Sequence, residues 1–285
     1  MVDIAYAPPD AREEVAQFML AAFPRARWSI DGWRRLLDGR WSGPEGRYAI
    51  TVRDSGKIVG VLGMVTAERL TDDGPRTTAN MSSWYLLKPY RGRGLGRQML
   101  EFAFADPGIT VTNFSSARDA VPVVERAGMQ VLDHARLIWQ PRKAATLLPV
   151  NADPLAQSDA LGARDRRVLI DHAGLNLKPL VVETPDGPVV IILSIKQKHD
   201  AYVTHEVMYL GDRERFARHV RAITDSLLPP DRAVLSVDRR FLPGEVTPDA
   251  TEAFAVPRFY VPGGMPPEAV DHLYSEIVLL DMKLY

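Results

Sequence analysis

Arg91-Gly92-Arg93-Gly94-Leu95-Gly96 is a compact loop of arginine and glycine. An apolar and aromatic run, Met81–Leu87, and a turn, Lys88-Pro89-Tyr90, precede it; Leu95, Met99, Leu100, Phe102 and Ala103 follow at helical spacing. The order is strand, glycine loop, helix. Such a loop turns several backbone N–H groups toward one point where a helix begins, and those amides with the positive end of the helix dipole attract an anion, most often phosphate. Glycine serves where the backbone approaches a ligand or takes positive φ. No Gly-Lys-Ser/Thr ends the loop, so it is not a Walker A loop. The G-x-G-x-G spacing, with no acidic residue on a following strand, separates it from the dinucleotide fingerprint. The amides of Arg91–Arg97 are the predicted anion cradle. Arg91 and Arg93 add charge, and a solvated surface role is the alternative for Arg93.

Side chains for proton chemistry are sparse nearby. The strand before the loop offers Ser82, Ser83, Trp84 and Tyr85, and no carboxylate. Tyr85 is a candidate acid or base, with packing as the alternative. Ser115 and Ser116 end a later strand and could donate a proton; helix N-capping is the other reading of Ser116. His134 beside Asp133 reads as a surface or satisfied histidine. His205-Glu206 sit on a strand of the second half and are candidates for acceptor binding. The spacing of His199, His205 and Glu206 does not argue for a metal. Trp28, Trp33 and Trp41, with Arg34, Arg35 and Arg40, form either an aromatic wall for an acceptor or ordinary core beneath solvated arginines.

The elements that must position these residues follow from periodicity. Strands are predicted at Asp3–Tyr6, at Tyr48–Arg53 and Lys57–Leu70 around a turn at Asp54-Ser55-Gly56, at Met81–Leu87, at Ile109–Phe114 and at Met129–Trp139. Helices are expected after Asp10 as N-cap, from Ser29, from Leu95, and over Arg118–Ala127 with Gly128 at the C-cap. The second half repeats the order: a hairpin around Pro185-Asp186-Gly187, a strand at His205–Leu210, a turn at Gly211-Asp212, a helix at Arg213–Leu228, then strands at Val234–Val237 and Leu273–Met282. The expected division is a domain over 1–142, a Pro/Ala-rich linker over 143–163 and a second domain over 164–285.

Composition sets the class. The 285 residues are 46% hydrophobic and 25% charged, as in ordinary globular proteins. Without cysteine there is no disulfide framework and no thiol chemistry. No apolar run approaches a membrane span and the N-terminus shows no signal-peptide pattern, so a cytoplasmic location is expected. Net charge is −1, which gives no basic footprint for nucleic acid. Residues 1–150 carry 20 basic against 16 acidic side chains, a balance that suits an anionic cofactor or is ordinary surface variation.

The loop also fits Arg-x-x-Gly-x-Gly. With its Leu86-Leu87-Lys88-Pro89-Tyr90 lead-in, it resembles the acyl-CoA pyrophosphate loop of the GCN5-related N-acetyltransferases. The element order over residues 1–140 is similar to that family's core. So is the helix around Ala120, Glu125, Arg126 and Gly128, although Ala117 and Val124 replace the family's Asn and Tyr. The resemblance implies an α/β (α+β) fold with a mixed, mainly antiparallel central sheet flanked by helices, duplicated in a degenerate second copy. It implies acetyl-CoA or another acyl-CoA as co-substrate, held by Trp84, Leu86, Leu87, Arg91, Gly92, Arg93, Gly94, Leu95, Gly96 and Arg97, and no metal. Tyr85, Ser115 and Ser116 are the catalytic candidates; Trp33, His205 and Glu206 are the acceptor candidates. The implied activity is direct N-acyl transfer to a small-molecule amine or amino sugar. A CoA-binding scaffold without catalysis, motivated by the missing Tyr, Asn and strand carboxylate, and a saccharide O-acyltransferase are the alternatives. Neither nucleic acid nor membrane is an expected partner, and a homodimer is compatible with the sequence. Ser82–Tyr85, Asp171–Leu175 and Leu273–Leu280 are also similar to bacterial tandem acetyltransferase-like proteins.

Overall fold

The computed structural model describes residues 2–144, 146–156, 161–198 and 202–283; His199 lies outside them. The chain forms two compact units. The first comprises Met1–Leu132, Arg258–Pro267 and Tyr274–Leu284, and the second holds Asp133–Pro257 and Glu268–Leu273.

The first unit begins with β1 (Val2–Tyr6), α1 (Arg12–Ala22) and α2 (Ile30–Leu37). The hairpin β2 (Ala49–Asp54) and β3 (Lys57–Thr71) follows, turning where the sequence predicts. Then come β4 (Gly74–Leu86), α3 (Leu95–Ala103), β5 (Ile109–Asn113) and α4 (Val121–Arg126). The strand β6 (Gln130–Trp139) is a single strand along which the chain passes into the second unit. The sheet order is β1-β2-β3-β4-β5, and the end of a late strand, β12 (Ala250–Val261), pairs with β5. All pairings are antiparallel except β4 with β5, which α3 connects as a crossover. Helices α1 and α2 cover one face: Val15, Ala16, Met19, Trp33, Leu36 and Leu37 bury there against β2 and β3. Asp10 is not the N-cap of α1. A 3-10 turn, Pro9–Ala11, intervenes and the cap position falls on Ala11, without a side-chain bond.

The second unit contains β7 (Val150–Asn151), α5 (Ala163–Asp171), β8 (Lys178–Thr184), β9 (Gly187–Lys198), β10 (Tyr202–Leu210), α6 (Arg213–Leu227) and β11 (Ala233–Asp238). Its strand order is β6-β11-β10-β9-β8-β7, with β10 and β11 parallel around α6. Its core joins Val182, Val189 and Ile191 of the sheet to Phe216, Val220 and Ile223 of α6.

Two further expectations are corrected. Leu273–Met282 is no strand: it holds the short helix α7 (Glu276–Leu279). The late strand is β12, which has no strict alternation and so escapes a period-two reading. The 164–285 boundary fails for the same reason, since Arg258–Pro267 and Tyr274–Leu284 belong to the first unit.

Candidate functional site

The glycine loop takes its shape from backbone angles. Gly92 and Gly94 have φ of 73° and 79°. These are left-handed values that cost other residues about 1 kcal/mol or more. A side chain at Gly92 would meet nothing within 4 Å, so conformation rather than space requires glycine there. Gly94 is the N-cap of α3 and supplies no side-chain cap. The first amides of α3 have no partner inside the helix and face outward as donors. Gly96 has a different cause: a Cβ there would lie 2.8 Å from the Trp84 ring, which packs beneath the start of α3.

The surrounding loop is braced. Arg91 Nε donates to the Leu86 carbonyl at 2.8 Å, and its guanidinium lies 5.0 Å over the Tyr85 ring. Arg93 lies 5.5 Å over the Tyr90 ring. The Tyr90 hydroxyl donates to Asp54 at 2.9 Å, which ties the lead-in turn to the end of β2 and holds the Asp54 carboxyl below its usual range. Arg97 pairs with Glu101 on the exposed face of α3.

Next to the loop, β4 leaves β5. Their pairing runs from Thr77/Ile109 to Asn80/Thr112 and ends, although β4 continues to Leu86. A bulge falls in the same stretch: Tyr85 faces Val61 and Ser82 faces Gly63, so Ser83 and Trp84 share one partner position. Ser83 has φ of 53°, left-handed for a non-glycine residue. A bulge leaves backbone donors outside the ladder and re-aims the strand. Between the diverging strands is a cavity of about 170 Å³. Phe23, Leu62 and Met81 give it apolar wall, and Ser82, Ser83, Asn113, Ser115 and Ser116 give it polar wall. Trp84 lines it too, with its indole nitrogen buried and unbonded among the described residues. A wedge with an apolar floor, hydroxyls and freed backbone amides can take a thin ligand arm and polarise a carbonyl at its tip. One well-placed donor of that kind is worth about 3 kcal/mol.

The predicted residues divide. Trp84, Ser115 and Ser116 meet at the cavity beside the loop. The Leu87 amide is committed to the Val59 carbonyl at 2.9 Å, so Leu87 offers no free donor. Tyr85 does not line the cavity but stacks edge-on against Phe23 and Phe18. Ser116 caps no helix, because the following 3-10 turn has Ala117 at its cap, and its hydroxyl is buried with no partner among the described residues. Trp33 is fully buried beside Phe23 and Trp28, which makes it core rather than an acceptor wall. His205 and Glu206 are buried in the second unit, where Glu206 lies 3.5 Å from Arg136, so burial and pairing occupy them. Asp133 accepts from the amides of His134, Ala135 and Arg240, a structural role.

Sequence reasoning also missed a carboxyl beside this site. Glu276, the first residue of α7, is 1% exposed. Its Oε1 accepts from Ser115 Oγ at 2.7 Å, and its amide donates to Asn80 at 3.0 Å. Burial pushes its carboxyl up to about 7; the Ser115 hydroxyl, nearby backbone amides and Arg258 pull more weakly the other way. A lone acid inside the apolar run around Ile277-Val278-Leu279-Leu280 was the available signal. Among the described residues, no group of His, Asp and Glu could hold a metal ion, and no helix is long and apolar enough to cross a membrane.

Residues 12–122 match the model of the Acetyltransferase (GNAT) family. A GCN5-related N-acetyltransferase from Anabaena variabilis is similar in fold with a TM-score of 0.53 and 12% identity, over 91% of this chain and 72% of that one. Another from Kribbella flavida gives a TM-score of 0.54 and 12% identity, over 91% and 70%. No match is found among curated proteins.

Proposed function

We propose that the first unit, whose residues 12–122 match the model of the Acetyltransferase (GNAT) family, is an acetyltransferase domain, and that this chain transfers an acyl group, acetyl in the first instance, from CoA directly to a small-molecule amine or amino sugar. The pyrophosphate sits on the amides from Gly92 to Arg97, with Arg91 and Arg93 supplying charge. The pantetheine arm enters the opening between β4 and β5 and brings the thioester to the cavity. Backbone donors at the Ser83–Trp84 bulge polarise its carbonyl. Ser115 and Ser116 are the side chains placed for proton transfer, and the second unit is a degenerate copy that binds no CoA.

The observation that carries this reading is the adjacency of two features: an uncapped glycine loop at the start of α3 and a cavity where β4 leaves β5. Its test is calorimetric titration with acetyl-CoA, then CoA release against a panel of primary amines and amino sugars. Binding with turnover is expected; absence of binding overturns the reading. A cavity wall without a charged side chain favours one second reading, a CoA-binding protein without catalysis. Tight binding with no turnover on any acceptor would select it.

A further inference from the structure

The cavity wall has no base of its own, yet a carboxyl lies one hydroxyl behind it. Ser115 is exposed on the wall and donates to Glu276 at 2.7 Å. Glu276 is 1% exposed, and its second oxygen, Oε2, has no hydrogen-bond partner among the described residues. Such an arrangement is expensive for a purely structural acid. A buried carboxylate normally takes a cation against it or surrenders its charge. The second unit shows the ordinary solution: Glu206 and Asp238 are as deeply buried and lie against Arg136 and Arg240. At Glu276 the strongest direct partner is a neutral hydroxyl that itself reaches the cavity. Asn80 of β4 takes the Glu276 amide and Arg258 of β12 contributes a weaker field, so the carboxyl is held in place while Oε2 keeps spare accepting capacity.

We propose that Ser115 and Glu276 form a proton relay, in which the Ser115 hydroxyl takes a proton from the acceptor nitrogen and passes its own to the Glu276 carboxylate. This rests on the acyl-transfer reading above. The acceptor arrives as an ammonium ion. One proton leaves nitrogen through Ser115 to Glu276, which frees the lone pair. That pair forms the C–N bond at the thioester carbon, and the C–S pair departs with sulfur. The second nitrogen proton ends on the thiolate, and Glu276 later returns its proton to solvent. The products are amide, CoA thiol and one released proton. Ser115 is the group that meets substrate, and Glu276 acts through it as a positioning and proton-holding residue. A carboxyl near 7 suits that work close to neutral pH.

The test compares wild type, Glu276→Gln, Glu276→Asp and Ser115→Ala. Acetyl-CoA affinity is measured by calorimetry, and kcat/KM for the best amine of the panel is followed across pH. Wild type is expected to lose activity below about pH 7. Glu276→Gln and Ser115→Ala should be slower by about 100-fold, should lose that acid limb, and should bind acetyl-CoA within about twofold of wild type. Glu276→Asp should restore part of the limb, which a packing role would not. An unchanged acid limb in Glu276→Gln, with turnover intact, overturns the relay alone. If wild type does not bind acetyl-CoA, the acyl-transfer reading falls, and the relay falls with it. Should Glu276→Gln not fold, the infrared band of a protonated carboxyl in wild type decides. Titration near pH 7 that shifts in Ser115→Ala supports the relay, and titration near the ordinary glutamate value overturns it.

Discussion

Each unit has a strand that runs through a turn into a helix and then a parallel strand: β4, α3 and β5 in the first, β10, α6 and β11 in the second. The two turns do opposite things with the helix N-terminus. In the first, Gly94 caps α3 with no side chain, and two left-handed glycines hold the loop open. In the second, the Asp212 carboxylate caps α6 by accepting from the Arg215 amide at 2.8 Å. A Cβ at Gly211 would meet Asp165 at 2.8 Å, and Arg164 donates to the Gly211 carbonyl. A helix-start donor of the kind left open in one unit is satisfied by the chain itself in the other. The strands beyond differ in the same sense. Beside the bulge of β4 lies a cavity. Beside the irregularity of β10 at Val207/Tyr209, the Met208 carbonyl accepts from the His272 amide, and His272 lies 2.8 Å from Asp238. The lesson is physical: a strand–turn–helix unit keeps donors available to a ligand when its polar groups are left without internal partners, and loses them when the chain itself supplies those partners.

The comparison can be broken most sharply at Gly94. Gly94→Asp places an acid where the second unit has one, in a backbone conformation that Asp tolerates better than most residues. Loss of acetyl-CoA affinity by at least about 100-fold is expected, with the melting temperature lowered by only a few degrees. Unchanged affinity in calorimetry would show that the loop is not the anion site.

The next effect concerns the buried acids. Glu276 has a folded value of about 7 against 4.5 for the ordinary group. Its contribution to stability is therefore fully present below about pH 4.5 and is lost as pH rises through 7. The difference amounts to about 3 kcal/mol, as an order of magnitude. Melting curves of wild type should show this decline between those values, and Glu276→Gln should flatten it. Parallel curves for the two proteins would mean that the carboxyl is not protonated in the folded chain near neutrality.

Arg91→Ala removes one cation from the loop together with the brace to Leu86. A loss of about tenfold in acetyl-CoA affinity is expected, close to the value of one charge-assisted contact. Asp212→Ala probes the other turn and should move least. Removing the cap should cost about 1 kcal/mol of stability in denaturant titration and leave acetyl-CoA affinity where it was. A change in affinity on that substitution would end the proposal that the second turn binds no CoA.

Much of this architecture was legible in the chain. The hairpin at Asp54-Ser55-Gly56, the loop at Arg91–Gly96 and α6 after Asp212 are signalled by residues within a few positions of one another. Order alone therefore announced a left-handed glycine loop at a helix start, because left-handed turns demand glycine and a helix start supplies amides wherever it occurs. What lay beyond the sequence depends on contacts made across long separations. Whether Trp33 was wall or core depended on Phe23 and Trp28 closing over it. The run around Leu273–Met282 read as a strand because its apolar residues fit either period, and only its packing in the first unit made it a short helix. Above all, Ser115 and Glu276 are 161 positions apart. Local propensity carries no information on that pairing. The sequence by its order placed a glycine loop at a helix start; the tertiary structure alone decided which carboxyl stands behind the serine, because burial of an acid against a hydroxyl is a property of the folded surroundings and of no single stretch.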